Sequence, residues 1–143
     1  DYTINISDAE GFGLATLESL SCSTPIIVNM TGGLQEQVTD GKNWFGWGIQ
    51  PSSKTIIGSL QVPYIYEDRI SQADFNKALT SALKARPKTY KEMSKLGLGH
   101  VKNNYSFEKY RDGWVSIMDE IIEKHGSWEN RTGYKRWHLR EVA

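Results

Sequence analysis

The chain has 143 residues, 17 Lys and Arg against 17 Asp and Glu, and 38% hydrophobic residues, the composition of one ordinary globular domain or a large piece of one. A chain of this length can bury about 68–70% of its unfolded surface, so its core needs neither disulfides nor a metal. Zero formal net charge and the absence of any long block of like charges remove nucleic acid from the expected partners.

The single cysteine, Cys22, cannot form an internal disulfide, and His100, His125 and His138 have neither the spacing nor the neighbours of a metal site. A reducing, cytoplasmic location is the expectation. No apolar run approaches the ~18 residues of a membrane span, and no charged start is followed by an apolar segment. Asn5, Asn29, Asn104 and Asn130 open Asn-x-Ser/Thr triplets, but Asn5 and Asn29 lie in strand-like runs that leave no room for a glycan; all four read as chance.

The chain opens with Asp1 and passes at once into the alternating segment 2–7, which reads as a strand. A sheet entered so abruptly suggests a piece of something longer, and part of a site would then lie elsewhere. Glycines at 11 and 13 precede good helix formers at 14–22, with Leu14, Leu17 and Ser21 at helical spacing. Pro25 then opens Ile26-Ile27-Val28, a continuous apolar run of the kind buried on both faces of a parallel sheet. Strand, glycine turn, helix and buried strand make a βαβ unit. After Thr31-Gly32-Gly33 a short helix is expected over 34–38, and another short strand in the aromatic run 44–49. Residues 51–69 read as a loop-like insertion with an apolar and aromatic patch at Val62, Tyr64, Ile65 and Tyr66. Phe75, Ala78, Leu79, Ala82 and Leu83 share one face of a helix that Pro87 is expected to end. A second helix around Tyr90, Met93, Leu96 and Val101 looks loosened at Gly97 and Gly99. A third, over 106–124, carries a stripe from Phe107 to Ile122, with Ser106 as N-cap and Gly126 past its end. The domain is thus expected over 1–126, with a polar tail at 127–143. No repeats or low-complexity tracts occur.

The chemistry concentrates in the segment from Ser7 to Glu18. Two glycines at the start of a helix that follows a strand let backbone N–H groups approach a ligand, and the helix end adds partial positive charge, which suits a phosphate or diphosphate. Glu10 in the turn and Glu18 on the helix place carboxylates beside that anion site, and carboxylates accept hydrogen bonds from vicinal hydroxyls. Ribose, diphosphate and hexose in a nucleotide sugar have this layout. A dinucleotide fingerprint would need glycine where Thr16 stands, and a P-loop would need Gly-Lys-Ser/Thr. On spacing alone, a tight βα turn with two solvent-exposed carboxylates fits equally.

Glu10-Gly11-Phe12-Gly13-Leu14, then Glu18 after seven intervening residues, Cys22 to Val28, Gly32-Gly33-Leu34-Gln35-Glu36-Gln37-Val38 and Asp40-Gly41 resemble the C-terminal, donor-binding domain of family 4 (group 1) retaining glycosyltransferases with the GT-B architecture. The likeness runs over about residues 2–50; the helices beyond agree in pattern, while 51–69 departs from the usual short connection. The resemblance implies an α/β fold with a Rossmann-like parallel sheet flanked by helices. It implies that Glu10 contacts hydroxyls of the transferred sugar in the active site, that the backbone of Gly11, Phe12, Gly13 and Leu14 faces sugar and diphosphate, and that Glu18 holds the nucleotide ribose. Gly32 and Gly33 would line the cleft. Transfer with retention, from a nucleotide-sugar donor to a glycan or lipid-linked acceptor and without a metal or other cofactor, is implied too. The leaving-group cations would lie in earlier strands of this domain and the acceptor site in an N-terminal GT-B domain, both outside this sequence. A nucleotide-sugar-binding module without transfer activity, or a protein-interaction module, are the alternatives.

Cys22 is expected to be a packed thiol, and Trp44 and Trp47 to be core aromatics with stacking on a base or sugar as the alternative. Glu36 fits a donor-site carboxylate and a surface one equally. The Phe107–Ile122 stripe reads as core packing, or as the helix that crosses toward the other GT-B domain. Lys124, Arg131, Lys135, Arg136 and Arg140 make the tail mildly basic, which suits a solvated tail and, less well, peripheral contact with an anionic membrane.

Overall fold

A computed structural model describes residues 1–133. It divides into two compact units, Asp1–Asn104 and a second unit beginning at Tyr105.

The first unit is built around a three-stranded parallel sheet in the order β1 (Thr3–Asn5), β2 (Ile26–Asn29), β3 (Gly46–Ile49). The register pairs Thr3 with Ile26 and Ile26 with Gly46. β2 is buried along its whole length, as its unbroken apolar run requires of a central parallel strand. Its side chains alternate between two layers. Ile26 and Val28 pack with Leu20, Leu34, Val38 and Phe45, joined by Leu96 and Val101; Ile27 packs on the other side with Ile49 and Ala82, joined by Tyr2, Trp47, Phe75 and Leu79. Helices α1 (Leu14–Ser21), α2 (Leu34–Val38) and α4 (Pro87–Asn104) thus cover one face, and α3 (Gln72–Leu83) covers the other. Each fully buried Leu, Ile or Val contributes about 1.5–3 kcal/mol.

Two helix boundaries differ from the sequence expectation. Helix α3 stops at Leu83, before Pro87, and Pro87 opens α4, where its missing N–H costs nothing. Gly97 does not loosen α4, which runs unbroken through it. A Cβ there would stand 2.8 Å from Leu20 Cδ2 and 3.4 Å from Phe45 Cβ, so the glycine lets α4 close on α1 and the core. Ser71 caps α3 by accepting from Asp74 N at 3.1 Å.

The stretch expected as a loop is a β-hairpin, β4 (Ser53–Ile57) antiparallel to β5 (Ile65–Arg69). Gly58 and Pro63 punctuate its end loop and hid the strand pattern. Two further expectations are corrected by exposure. Cys22 ends α1 on the surface and is exposed, because β2 is entered only after Pro25; Trp44 precedes β3 and is 46% exposed. Asn29, by contrast, is fully buried.

In the second unit, α5 (Phe107–His125) matches the expected span. Ser106 accepts from Lys109 N at 3.2 Å, and Gly126 follows with φ 77°. Among the described residues no residue of α5 is buried. Arg131 lies 3.8 Å over the exposed Trp128 ring. The tail residues Lys135, Arg136, Trp137, His138 and Arg140 lie outside the described residues.

Candidate functional site

Strand β1 ends at Asn5, and a turn carries the chain over Glu10, Gly11 and Phe12 to Gly13, which caps α1 in the left-handed conformation, φ 84° and ψ 57°. Only glycine takes that conformation without strain here, and a Cβ would also meet Leu34 Cδ2 at 2.7 Å and Thr16 Oγ1 at 2.9 Å. No side chain caps α1 and its first turn holds no acid. Among the described residues the first N–H groups of the helix therefore have no anionic partner of their own.

A second loop, after β2, presses against the first. Gly33 N donates to the Glu10 carbonyl at 3.3 Å. Any Cβ on Gly33 would stand 2.7 Å from the Phe12 carbonyl oxygen and 2.8 Å from that of Gly11, and at Gly32, φ 47°, it would overlap the Glu10 carbonyl. The backbones approach this closely only because residues 32 and 33 carry no side chain. Beneath them lies a buried polar pair. Gln37 Nε2 donates to the Phe12 carbonyl, while the Thr16 hydroxyl lies 2.5 Å from Gln37 Oε1 and 2.7 Å from the Gly13 carbonyl, its single proton serving one of the two. Thr16 and Gln37 are both fully buried.

The expected residues thus fall into two groups. Glu10, Gly11 and Phe12 meet Gly32 and Gly33 through their backbones, while Gly13 lies against Leu34 and Thr16. Leu14 and Glu18 lie one turn apart on the same face of α1, both exposed. Among the described residues neither the half-buried Glu10 carboxylate nor that of Glu18 makes an ion pair or hydrogen bond. Glu36, in the first turn of α2, is exposed.

Sequence reasoning missed what bolts these loops together. Asn29, at the end of β2, donates through Nδ2 to the carbonyls of Ser7 and Asp68, both at 2.9 Å. Thr31 Oγ1 donates to Asp68 Oδ2 at 2.9 Å, Asp68 N donates to the Asp8 carbonyl at 2.8 Å, and Arg69 pairs with Asp8 at 2.6 Å. The root of the β4–β5 hairpin is therefore tied to both loops. Thr16 and Gln37 carried a faint signal, a hydroxyl where a dinucleotide fingerprint has glycine and an amide three residues into an otherwise apolar helix face; Asp68 and Arg69 carried none, because their strand was invisible.

A polar cleft of about 350 Å³, lined by Met30, Gln35, Pro51, Ser52, Lys54 and Asp68, opens beside the second loop. Lys54 Nζ lies 3.6 Å from Asp68 Oδ1 there. It sits beyond the carboxyl ends of β2 and β3, where open parallel sheets bind ligands. A roomier cleft of about 620 Å³ lies between β1 and helices α3 and α4, lined by Tyr2, Ile4, Leu79, Ala82 and Tyr90; it is mostly apolar and touches neither glycine loop. Among the described residues no group of three His, Cys, Asp or Glu side chains could hold a metal ion. The perturbed titrations lie elsewhere. Asp40 is lowered to about 2 by the backbone and side chain of Asn43 and the backbone N–H of Lys42, and His100 is lowered by burial against the charged form.

Residues 1–97 match the family described as glycosyl transferases group 1. The chain belongs to this family. A sucrose synthase of Acidithiobacillus caldus is 27% identical over 108 residues, 76% of this chain and 12% of that protein. A D-inositol 3-phosphate glycosyltransferase of an Arthrobacter species is 27% identical over 78 residues, 54% of this chain and 18% of that protein. Among solved structures, sucrose-phosphate synthase of Thermosynechococcus elongatus superposes with a TM-score of 0.61 at 20% identity, covering 85% of this chain and 26% of that one. The chain therefore spans less than a fifth of these two curated relatives. The expected α/β fold, a parallel sheet flanked by helices as in the GT-B glycosyltransferases, is the one observed.

Proposed function

We propose that this chain forms part of the donor side of a retaining glycosyltransferase that takes a hexosyl group from a nucleotide sugar. The observation that carries the reading is the close backbone approach of Gly32 and Gly33 to the loop 10–13, at the uncapped start of α1. Group 1 membership supports the same reading. In it, the N–H groups opening α1 and the backbone from Gly11 to Leu14 receive the diphosphate and the face of the sugar, balancing charge as the diphosphate leaves without a bound metal. Glu10 accepts hydrogen bonds from hydroxyls of the transferred sugar, and Glu18 takes the ribose hydroxyls. The cations that complete the diphosphate site and the surface that holds a glycan or lipid-linked acceptor belong to parts of the enzyme outside this chain.

A thermal-shift titration with UDP-, GDP- and ADP-sugars tests the reading, because a ligand at 100 times its Kd stabilises by about 2.7 kcal/mol. One base is expected to raise Tm selectively. Glu18→Ala should weaken that ligand about tenfold to a hundredfold, the worth of a charge-assisted hydrogen bond. Silence both in this chain and in the full-length enzyme would sink the donor-site reading.

A further inference from the structure

The β4–β5 hairpin is divided by polarity along its length rather than across its faces. Its root pairs Ser53 with Arg69, Lys54 with Asp68 and Thr55 with Glu67; the next two pairs are Ile56 with Tyr66 and Ile57 with Ile65. Successive pairs point to opposite faces, so the outer hairpin is apolar on both. No charged residue occurs from Thr55 to Tyr66. Every residue of β4 is exposed, and beyond it Leu60 is 99% exposed and Tyr64 74%. The turn at the tip satisfies its own backbone, with Ser59 N donating to the Val62 carbonyl at 3.0 Å and Val62 N to Ser59 Oγ at 3.2 Å.

An antiparallel ribbon that packs on one side commonly has an apolar face there and a polar face toward water. One that is apolar on both faces, with Ser59 and Gln61 as the uncharged polar residues of its tip, suits an apolar surrounding on every side. We propose that the hairpin tip inserts into the headgroup–acyl boundary of a lipid bilayer, with Leu60 deepest and Tyr64 and Tyr66 at headgroup level. From Ile56 to Leu60 the chain can reach at most about 14 Å, enough for the ~5–10 Å depth of interfacial insertion. Tyrosines favour that level because the ring is apolar and the hydroxyl wet. The charges at the root, Lys54 and Arg69 against Glu67 and Asp68, cancel. Insertion therefore draws on apolar burial, independent of anionic lipid, unlike contact through the basic tail. The proposal stands apart from the donor-site reading, although the root's ties to both glycine loops would hold that site beside the bilayer.

The test is cosedimentation of the full chain with dioleoylphosphatidylcholine vesicles at low salt and at about 0.5 M salt, where surface charge is screened. Binding is expected at both, and Leu60→Asp should weaken it at least about tenfold, since the new charge must leave the interface. Because Leu60 touches nothing that holds the fold, Leu60→Trp serves as a second probe: vesicles should add a blue-shifted emission absent from the parent chain, quenched by lipids brominated on the acyl chain. No binding to the neutral vesicles, equal binding by Leu60→Asp, or an unshifted Leu60→Trp would overturn the proposal. So would a wild-type dimer that Leu60→Asp turns into a monomer without vesicle binding, which would assign the tip to a second copy of the chain.

Discussion

The βαβ body and the β4–β5 hairpin hold similar residues in opposite circumstances. In the body, Ile26, Ile27 and Val28 are fully buried and helices cover both faces of the sheet; in the hairpin, Ile56 is 60% exposed and Leu60 99%. Yet the two are joined at one place, where Asp68 and Arg69 grip the loops that carry Glu10 and Gly32. Apolar residues in the body are there for stability, and their loss should be felt as unfolding. Those in the outer hairpin hold nothing up.

Substitutions separate the two regions by size of effect. Ile27→Ala, at the centre of β2 with core on its layer, should cost about 2–5 kcal/mol in urea unfolding, transfer and cavity together. Gly32→Ala combines a left-handed φ with overlap of the Glu10 carbonyl; a loss of about 2–4 kcal/mol is expected, and a neutral result would mean that the two loops separate easily. Thr16→Val keeps the shape but removes the hydroxyl donor that Gln37 Oε1 and the Gly13 carbonyl share, at about 1–3 kcal/mol. Arg69→Ala breaks two ion pairs, to Asp8 and to Glu67, with the guanidinium itself 43% exposed, so stability should fall by only about 0.2–1 kcal/mol per pair. Leu60→Asp should change stability by less than about 0.5 kcal/mol.

The same contrast explains what could be read from the sequence. β2, α1 and α2 were legible because an unbroken apolar run, a glycine turn and helical spacing each encode one local choice, and α5 was bounded by Ser106 and Gly126. The glycine loops were legible as a pair of motifs, but not the reason for them: contact between residues 10–13 and 32–33 is non-local, as is the Thr16–Gln37 pair beneath. The hairpin was hidden because alternation fails when both faces are apolar. Gly97 misled for the opposite reason, since its lack of a side chain serves packing against Leu20 rather than a bend.

The finest separation comes from a proton. His100 stacks on Phe45 in the body, ring centroids 4.6 Å apart, and burial lowers its pKa from 6.5, opposed by the Asp40 charge and a bond to the Glu36 backbone. The folded state therefore resists protonation while the unfolded chain accepts it. Above about pH 7 both states are neutral at this side chain and its full contribution is present. As pH falls below 6.5 the unfolded state gains a proton that the native state lacks, and stability declines until the folded pKa is reached. Asp40 adds nothing in that window, because its contribution is lost only as pH falls from 3.8 toward about 2. Urea midpoints should thus drop between pH 7.5 and 5.5, and His100→Phe should flatten that drop. An unchanged slope in His100→Phe would mean that burial of this ring is not the source of the pH sensitivity, and would overturn the assignment to His100.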